Sequence, residues 1–430
     1  MVIHGQWFFP DLDNKFYFGN LHIDDDKIKL NIFGELPNVK MPIRFPIIYG
    51  KSIEGDFTLI NAVWNRNLRA NYTNNSVETG LFVSEVIRGH CYEKSEGVKF
   101  RKYSFELDGL KEWIKDLGID VRDSNGQIKV EYLRPKTINF DIQNFGSGKI
   151  IFEESTCYDK EDYDTICQIT QFVSILLETP DELKYDSFIT IALKLRALFF
   201  LLFGKNPTLN RQLFSSKEHE ELIYFTNSRL IIHNFNEFSR FSVLFEDIKC
   251  NFESTLNSFL SKADQLEPIL NIWMNFLTDD KLKDENKFLL VCQALEAFHR
   301  KFMEQNETYV NSESKTYGGS KSPYFKTRIK RIINLLEQSL QINITFGLDK
   351  ESISEQITNT RDYYTHYLKE EKQRFSSQEI LAFTPKLIKI LHILILKEVG
   401  VNETVLKKYF ESTSFDNYYD VKNIPKFRKS

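Results

Sequence analysis

The chain has 430 residues, 42% hydrophobic and 27% charged, with a net charge of −4 at pH 7. That length exceeds one compact core, so two or three domains are expected, and the acidic balance excludes a generic nucleic-acid coat. The five cysteines (Cys91, Cys157, Cys167, Cys250, Cys292) are scattered, odd in number and without C-x-x-C spacing, which excludes a zinc-ribbon pattern and indicates a reducing compartment.

The first five residues lack the architecture of a signal peptide. The most apolar stretch, Ile189–Phe203, carries Lys194 and Arg196 and is too short to span a bilayer. A cytoplasmic protein with no membrane partner is expected. The charge is uneven: from Asp284 to Ser430 there are 23 Lys and Arg against 19 Asp and Glu, which is +4 and leaves −8 for the rest. A mildly basic C-terminal part permits an anionic ligand there.

Residues 1–155 read as a β-rich, sandwich-like N-terminal domain and candidate sensor. Ile28, Leu30 and Ile32 alternate with polar neighbours, as do Ile128, Val130 and Tyr132, and further runs surround Phe57–Trp64 and Phe100–Phe105. Such period-two patterning marks half-buried antiparallel strands. Turn formers, among them Gly19-Asn20, Gly50, Gly55 and Ser124-Asn125-Gly126, separate the runs, which suits a sandwich or a barrel. One helix is expected at Asp108–Leu117, with Leu110, Trp113 and Ile114 on one face. Residues 156–280 read as an α/β connecting region. Here Ile166–Leu177 is expected to be helical, Tyr185–Ile191 and Glu221–Phe225 to be strands, and Phe245–Leu260 and Pro268–Leu277 to be helices.

Residues 281–410 read as a four-helix bundle, making the whole chain α+β. Phe288, Val291, Cys292, Leu295, Phe298 and Phe302 recur at helical spacing after Asp284. Pro323 suits the first turn of a helix that turns Phe325, Ile329, Ile332, Ile333 and Leu336 inward, with Gly347 ending the segment. Ser352-Ile353-Ser354-Glu355 has the form of a capping box opening a third helix, and Ser376-Ser377-Gln378-Glu379 that of one opening a fourth, ended by Gly400. Pro385 should kink the fourth helix. A short helix at Glu403–Phe410 and a basic tail over 411–430 follow.

The third helix carries the chemistry. Arg361 and His366 are separated by four residues, and Asp362 lies four before His366, so the Asp–His pair shares a face. A carboxylate on one ring nitrogen fixes a histidine's tautomer and raises its basicity. The guanidinium is a permanent charge with a fork suited to phosphate. An acid/base beside a phosphate clamp is minimal equipment for phosphodiester chemistry. As a bare pattern, an Arg and a His at this spacing arise by chance about once in three chains of this composition. Without context, such a face is more often plain solvated surface.

Context comes from a resemblance. The residues that carry it are Gly5, Trp7 and Pro10, the run Gly50–Leu59, Leu110-Lys111-Glu112-Trp113, Leu270-Asn271-Ile272-Trp273 and Gln293–Arg300, together with Arg361–His366 on the third bundle helix. With them the chain resembles, over nearly its whole length, the ApeA-type HEPN proteins of bacteria. That resemblance implies a HEPN-like bundle and a metal-independent endoribonuclease that cleaves host or phage RNA in abortive-infection defence against phage. It implies no cofactor and no metal site. The expected partners are RNA, tRNA among the candidates, a phage-derived trigger, and a second copy of the chain in a homodimer or higher oligomer. Residues five apart lie about 140° around a helix, so a site shared across a two-fold axis would let each Arg361 meet the other copy's His366.

In this reading His366 is acid or base, Arg361 stabilises the phosphorane, Asp362 holds His366, and the RNA 2′-hydroxyl is the nucleophile. Lys326, Arg328, Lys330 and Arg331, with Lys321, form a basic helix face for the RNA backbone, equally readable as solvated surface. Tyr364 beside Tyr363 is a candidate for base stacking, with packing the plainer role. Glu296 is a candidate partner of Arg361, equally readable as a plain surface carboxylate, and His299 a candidate lining residue of the cleft, with a helix-surface histidine the plainer reading. His392, on the apolar fourth helix, suits a satisfied core histidine. The alternative is a non-catalytic RNA- or nucleotide-binding or protein-interaction module, with the β-rich domain as ligand sensor. A further alternative makes that domain a ligand or carbohydrate receptor. No Gly-rich phosphate loop, H-E-x-x-H or G-x-S-x-G motif is present.

Overall fold

The computed structural model describes residues 1–10, 12, 15–24, 27–34, 36, 44–64, 78–94, 97–115, 118–124, 127–161, 164–217, 222–226, 241–278, 281–306, 313–317, 320–341, 349–366 and 373–411; for 119–130, 155–169, 278, 306 and 315–321 it describes the backbone alone. The chain divides into two units. One comprises Met1–Arg196 with Pro207–Ser239, the other Ala197–Asn206 with Arg240–Ser430.

Six strands open the first unit: β1 (Val2–Phe8), β2 (Phe16–Ile23), β3 (Ile28–Phe33), β4 (Arg44–Ser52), β5 (Gly55–Trp64) and β6 (Glu78–Arg88). They pair antiparallel in the circuit β1-β2-β3-β6-β5-β4, and β4 returns to β1. A sheet that closes on itself is a barrel with no free edge, so of the two arrangements compatible with the strand pattern the chain takes the barrel. Alternate residues fill its interior, among them Ile3, Trp7, Leu21, Leu30, Ile48, Phe57, Leu59, Leu81 and Val83, each almost fully buried. The Trp7 ring lies across Gly50, where an added Cβ would come within 2.3 Å of it. Its indole N–H donates to the carbonyl of Gly19 at 3.2 Å. Glycine at 50 is therefore required by a close approach.

The rest of this unit is built from β7 (Lys99–Leu107), α1 (Leu110–Ile114), a hairpin of β8 (Ile119–Ser124) and β9 (Gln127–Tyr132), then β10 (Ile138–Ile142), β11 (Gly146–Glu161), β12 (Asp164–Lys184), α2 (Tyr185–Phe203), β13 (Leu209–Ser215) and β14 (Leu222–Thr226). The order β10-β11-β12-β7-β13-β14 continues onto β6, so one sheet grows out of the barrel wall. Helix α2 begins in this unit and ends in the other.

Two segment expectations are overturned here. Ile166–Leu177 is strand, part of β12, because β11 pairs with it continuously from Ser147↔Glu178 to Glu161↔Asp164. Its apolar residues fit either period, and the long partner decides between them. Tyr185–Ile191, expected as strand, is the first part of α2. Read together with the apolar run after it, this segment is 19 residues long, which is helix length rather than strand length.

The second unit is helical: α3 (Phe245–Ile248), α4 (Phe252–Thr278), α5 (Asp284–Phe298), the short hairpin β15 (Ser314–Tyr317) and β16 (Ser320–Pro323), α6 (Phe325–Leu340), α7 (Lys350–His366), α8 (Ser377–Glu398) and α9 (Glu403–Glu411). The two helices expected from Phe245 to Leu277 are instead the short α3 and the long α4, which contains Pro268. Helices α5–α8 form the bundle. Helix α5 touches the other three, α4 lies against α5 and α8, and α9 against α6 and α8. The core is Phe288, Val291, Cys292, Leu295, Ile329, Ile332, Ile333, Leu336, Ile353, Ile357, Phe383, Leu387, Leu391 and Leu394.

The caps differ in part from those expected. Ser376 and Glu379 form the full capping box of α8. Helix α7, however, begins at Lys350, and Asp349 accepts from the Ser352 N–H at 2.9 Å, so Ser352–Glu355 lies inside the helix and caps nothing. Pro323 belongs to β16, ahead of α6. Gly347 and the basic tail lie outside the described residues. His392 is a satisfied core residue: one ring nitrogen meets the Leu201 carbonyl at 2.9 Å, which makes it the N–H donor, and the other meets the Tyr409 hydroxyl at 2.8 Å. No helix among the described residues is long and apolar enough to cross a membrane.

Candidate active site

Helix α7 presents Arg361 toward α5 and α6. Its Nη2 donates to Oε2 of Glu296 at 3.0 Å, and its Nη1 to Oδ1 of Asp362 at 3.3 Å. The guanidinium stacks over Phe325 at 4.6 Å. Two carboxylates and a ring thus fix the plane of the fork while a quarter of the side chain, 26%, stays exposed. Charged hydrogen bonds and stacking of this kind hold an arginine in one orientation and leave its other N–H groups for a ligand. Glu296 is thus in direct contact with Arg361. Its other oxygen accepts from Arg300 at 2.8 Å and lies 4.0 Å from Nε of Arg328.

Arg328 does not lie on the basic face expected of it. It is 1% exposed. Its Nη1 donates to Glu304 at 2.8 Å and meets Nδ1 of His299 at 3.0 Å, and its Nη2 donates to Ser322 at 3.1 Å. The cause is helical phase. Arg328 sits between Ile329 and Phe325 on the inward side of α6, and a cation there is tolerated because carboxylate and imidazole surround it. Because Arg328 donates, Nδ1 of His299 is the acceptor and the ring is neutral. His299 is fully buried and opens a π-helical turn, His299–Met303, that follows α5. It supports Arg328 from below and does not line an open cleft. Such π-turns recur at functional sites.

The other cations of that face whose side chains are described are neutralised. Lys326 bridges Glu351 at 2.7 Å and Glu355 at 2.9 Å, Lys330 pairs with Glu351, and Arg331 pairs with Glu313 at 3.3 Å. Hydrogen bonds from Lys326 and Lys330 hold the Glu351 carboxyl down at about 2. An RNA backbone laid on this face must therefore compete with carboxylates. The side chain of Lys321 lies outside the described residues.

His366 is the last residue of α7, and its side chain is exposed. Among the described residues it has no hydrogen-bond partner, and Asp362 is bonded to Arg361 rather than to it. The carboxylate expected to orient the histidine is taken by the adjacent guanidinium, which lies closer and carries a permanent charge. Tyr364 is half-buried, and burial raises its hydroxyl pKa first, with the Glu285 charge next. Beneath the site, burial pushes the Cys292 thiol up despite the nearby Arg361, so this thiol stays protonated and unreactive.

Partners not foreseen are Arg300, Phe325, Glu304 and Arg374, whose guanidinium lies 3.5 Å from the centre of the Tyr363 ring. Only Arg300 left a readable trace, being four residues after Glu296 on one helix face. Among the described residues no group of three or more His, Cys, Asp or Glu is placed to hold a metal ion.

Comparison with known families finds two matches. Residues 2–259 match the model described as ApeA N-terminal domain 1, and residues 289–405 match that described as Apea-like HEPN. No curated protein and no solved structure matches the chain.

Proposed function

The chain belongs to the ApeA-type HEPN proteins, whose HEPN domain carries a nuclease-type anti-phage role at the level of the family, and we propose that it is a metal-independent endoribonuclease acting by attack of the RNA 2′-hydroxyl. The observation that carries this reading is the fixed Arg361 guanidinium, held by Glu296, Asp362 and Phe325 with part of its edge open, five residues before an exposed His366 on one helix.

The roles follow from the chemistry. The 2′-oxygen attacks the adjacent phosphorus, and its proton passes to a neutral His366. The bond to the 5′-oxygen breaks, and that oxygen takes a proton from an acid. The open N–H groups of Arg361 stabilise the charge growing on the phosphorane oxygens. The products are a 2′,3′-cyclic phosphate and a 5′-hydroxyl, and DNA is immune because it lacks the nucleophile. Arg361 and His366 point about 140° apart around α7. A second copy related by a two-fold axis would bring each Arg361 to the other His366, and would supply a second histidine as the acid. The substrate is host or phage RNA, and the β-rich unit receives the trigger.

The test is RNA cleavage by wild type and His366→Ala, with and without EDTA, and with candidate phage activators added. Cleavage lost in the variant, insensitive to chelator, and ending in cyclic phosphate supports the reading. Unchanged cleavage in His366→Ala removes His366 from the chemistry. Persistent RNA binding without product, activators included, would instead favour a non-catalytic binding module.

A further inference from the structure

We propose that Arg374, stacked on Tyr363, is a second phosphate-binding guanidinium of the α7 site, and that it grips the RNA strand on the His366 side of the scissile bond. This rests on the ribonuclease reading.

Asn359, Tyr363 and His366 are spaced by four and three residues and so share one face of α7. Residues 373–375 are tied to that helix. Asn359 donates to the Gln373 carbonyl at 3.0 Å, and the Phe375 N–H donates to the buried Thr360 hydroxyl at 2.8 Å. Phe375 is itself buried and stacks on Phe383 with ring centres 4.7 Å apart. The backbone on both sides of Arg374 is therefore fixed, and its exposed side chain lies on Tyr363. Tyr363 and His366 are only about 60° apart around the axis and about 4.5 Å apart along it. Arg374 is thus the guanidinium on the histidine's own face, whereas Arg361 looks toward α5 and α6.

Stacking uses the flat face of a guanidinium and leaves its N–H edge open. Among the described residues Arg374 pairs with no carboxylate. Its neighbours differ: Arg361, Arg300 and Arg328 share Glu296, Asp362 and Glu304, and the α6 lysines share Glu351 and Glu355. A held guanidinium with no carboxylate partner among the described residues, beside an exposed histidine, suits a phosphodiester. Two guanidinium groups on different sides of one helix, Arg361 with part of its edge exposed and Arg374, suit consecutive phosphates of a strand better than a single phosphate.

The experiment measures binding of a short mixed-sequence single-stranded RNA, 2′-O-methylated throughout so that it cannot be cut, to the full chain over a range of salt. Arg374→Ala should weaken binding and lower the slope of log affinity against log salt by about 0.7, the value for one lost phosphate contact on a single strand. Arg374→Lys should keep the slope, because the charge remains. Tyr363→Leu should lower affinity without changing the melting temperature. Equal slopes for wild type and Arg374→Ala overturn the proposal, as does a wild type with no measurable affinity for this strand. Cleavage of the unmethylated strand is scored separately with His366→Ala. Equal slopes with cleavage lost in His366→Ala leave the ribonuclease reading standing and sink this one. A lowered slope in Arg374→Ala, with a wild type that never cuts even when candidate activators are added, sinks the ribonuclease reading and leaves Arg374 as a phosphate contact.

Discussion

Glu296 and Arg361, 65 positions apart in sequence, meet in a 3.0 Å charged hydrogen bond that joins the first bundle helix to the third. The carboxylate is only 18% exposed and serves Arg300 as well, so it sets the orientation of Arg361 rather than merely balancing its charge. Replacing it tests that role. Glu296→Gln keeps shape and one acceptor but loses the charge-assisted bond. RNA cleavage should fall about tenfold to a hundredfold through misplacement of Arg361, with urea unfolding close to wild type. A variant cutting at the wild-type rate would show that Arg361 needs no such support.

Arg361 and His366 should respond differently to substitution. His366 is exposed and makes no bond within the described residues, so His366→Ala should leave thermal stability unchanged and abolish cleavage. Arg361→Lys keeps the charge but not the fork that spans Glu296 and Asp362 or the stack on Phe325. It should lose about a hundredfold or more in rate. Full rescue by lysine would mean that charge alone suffices.

Arg328 offers a contrast within the same helix. Because it is buried on Glu304, His299 and Ser322, Arg328→Ala should appear as a folding defect. Removing one partner of a buried charge pair costs about 3 kcal/mol at the low end, appropriate here because Glu304 stays partly solvated. Chemical denaturation should show that loss. A stable Arg328→Ala protein with selectively weakened RNA binding would return Arg328 to the interface.

His392 sets a pH dependence. Burial pushes it down from 6.5 to about 3, with the Lys389 charge assisting and the bond to the Leu201 carbonyl opposing. The folded histidine is therefore neutral between those values while the unfolded one is protonated. Its contribution to stability is complete above pH 6.5 and is lost as pH falls toward 3, amounting to about 3 kcal/mol by pH 4. His392→Gln can still donate to Leu201 and accept from Tyr409 but does not titrate. The gap between wild type and His392→Gln in urea midpoint should narrow steadily as the buffer is taken from neutral to mildly acidic. A constant gap would mean that His392 does not carry the shift.

The order of amino acids alone carries the β-then-α arrangement of the chain, the helical bundle after Asp284 and the capping box at Ser376, because alternation, 3.6-residue periodicity and local caps depend only on neighbours along the chain. It also placed Arg361, Asp362 and His366 on one helix. It misassigned Ile166–Leu177 and Tyr185–Ile191, where short apolar runs suit two periods and a distant strand, or the length of the whole run, makes the choice. Closure of the barrel likewise needed β5 to meet β6 and β4 to meet β1. The site changed most. Arg328 moved from surface to interior because helical phase against the core decides which cations are buried. Asp362 turned to Arg361 instead of His366 because the guanidinium beside it is the stronger local partner. Phe325 and Arg374 joined through contacts made across the bundle or across a turn. Such contacts depend on how helices pack, and no residue pattern along a single helix records them.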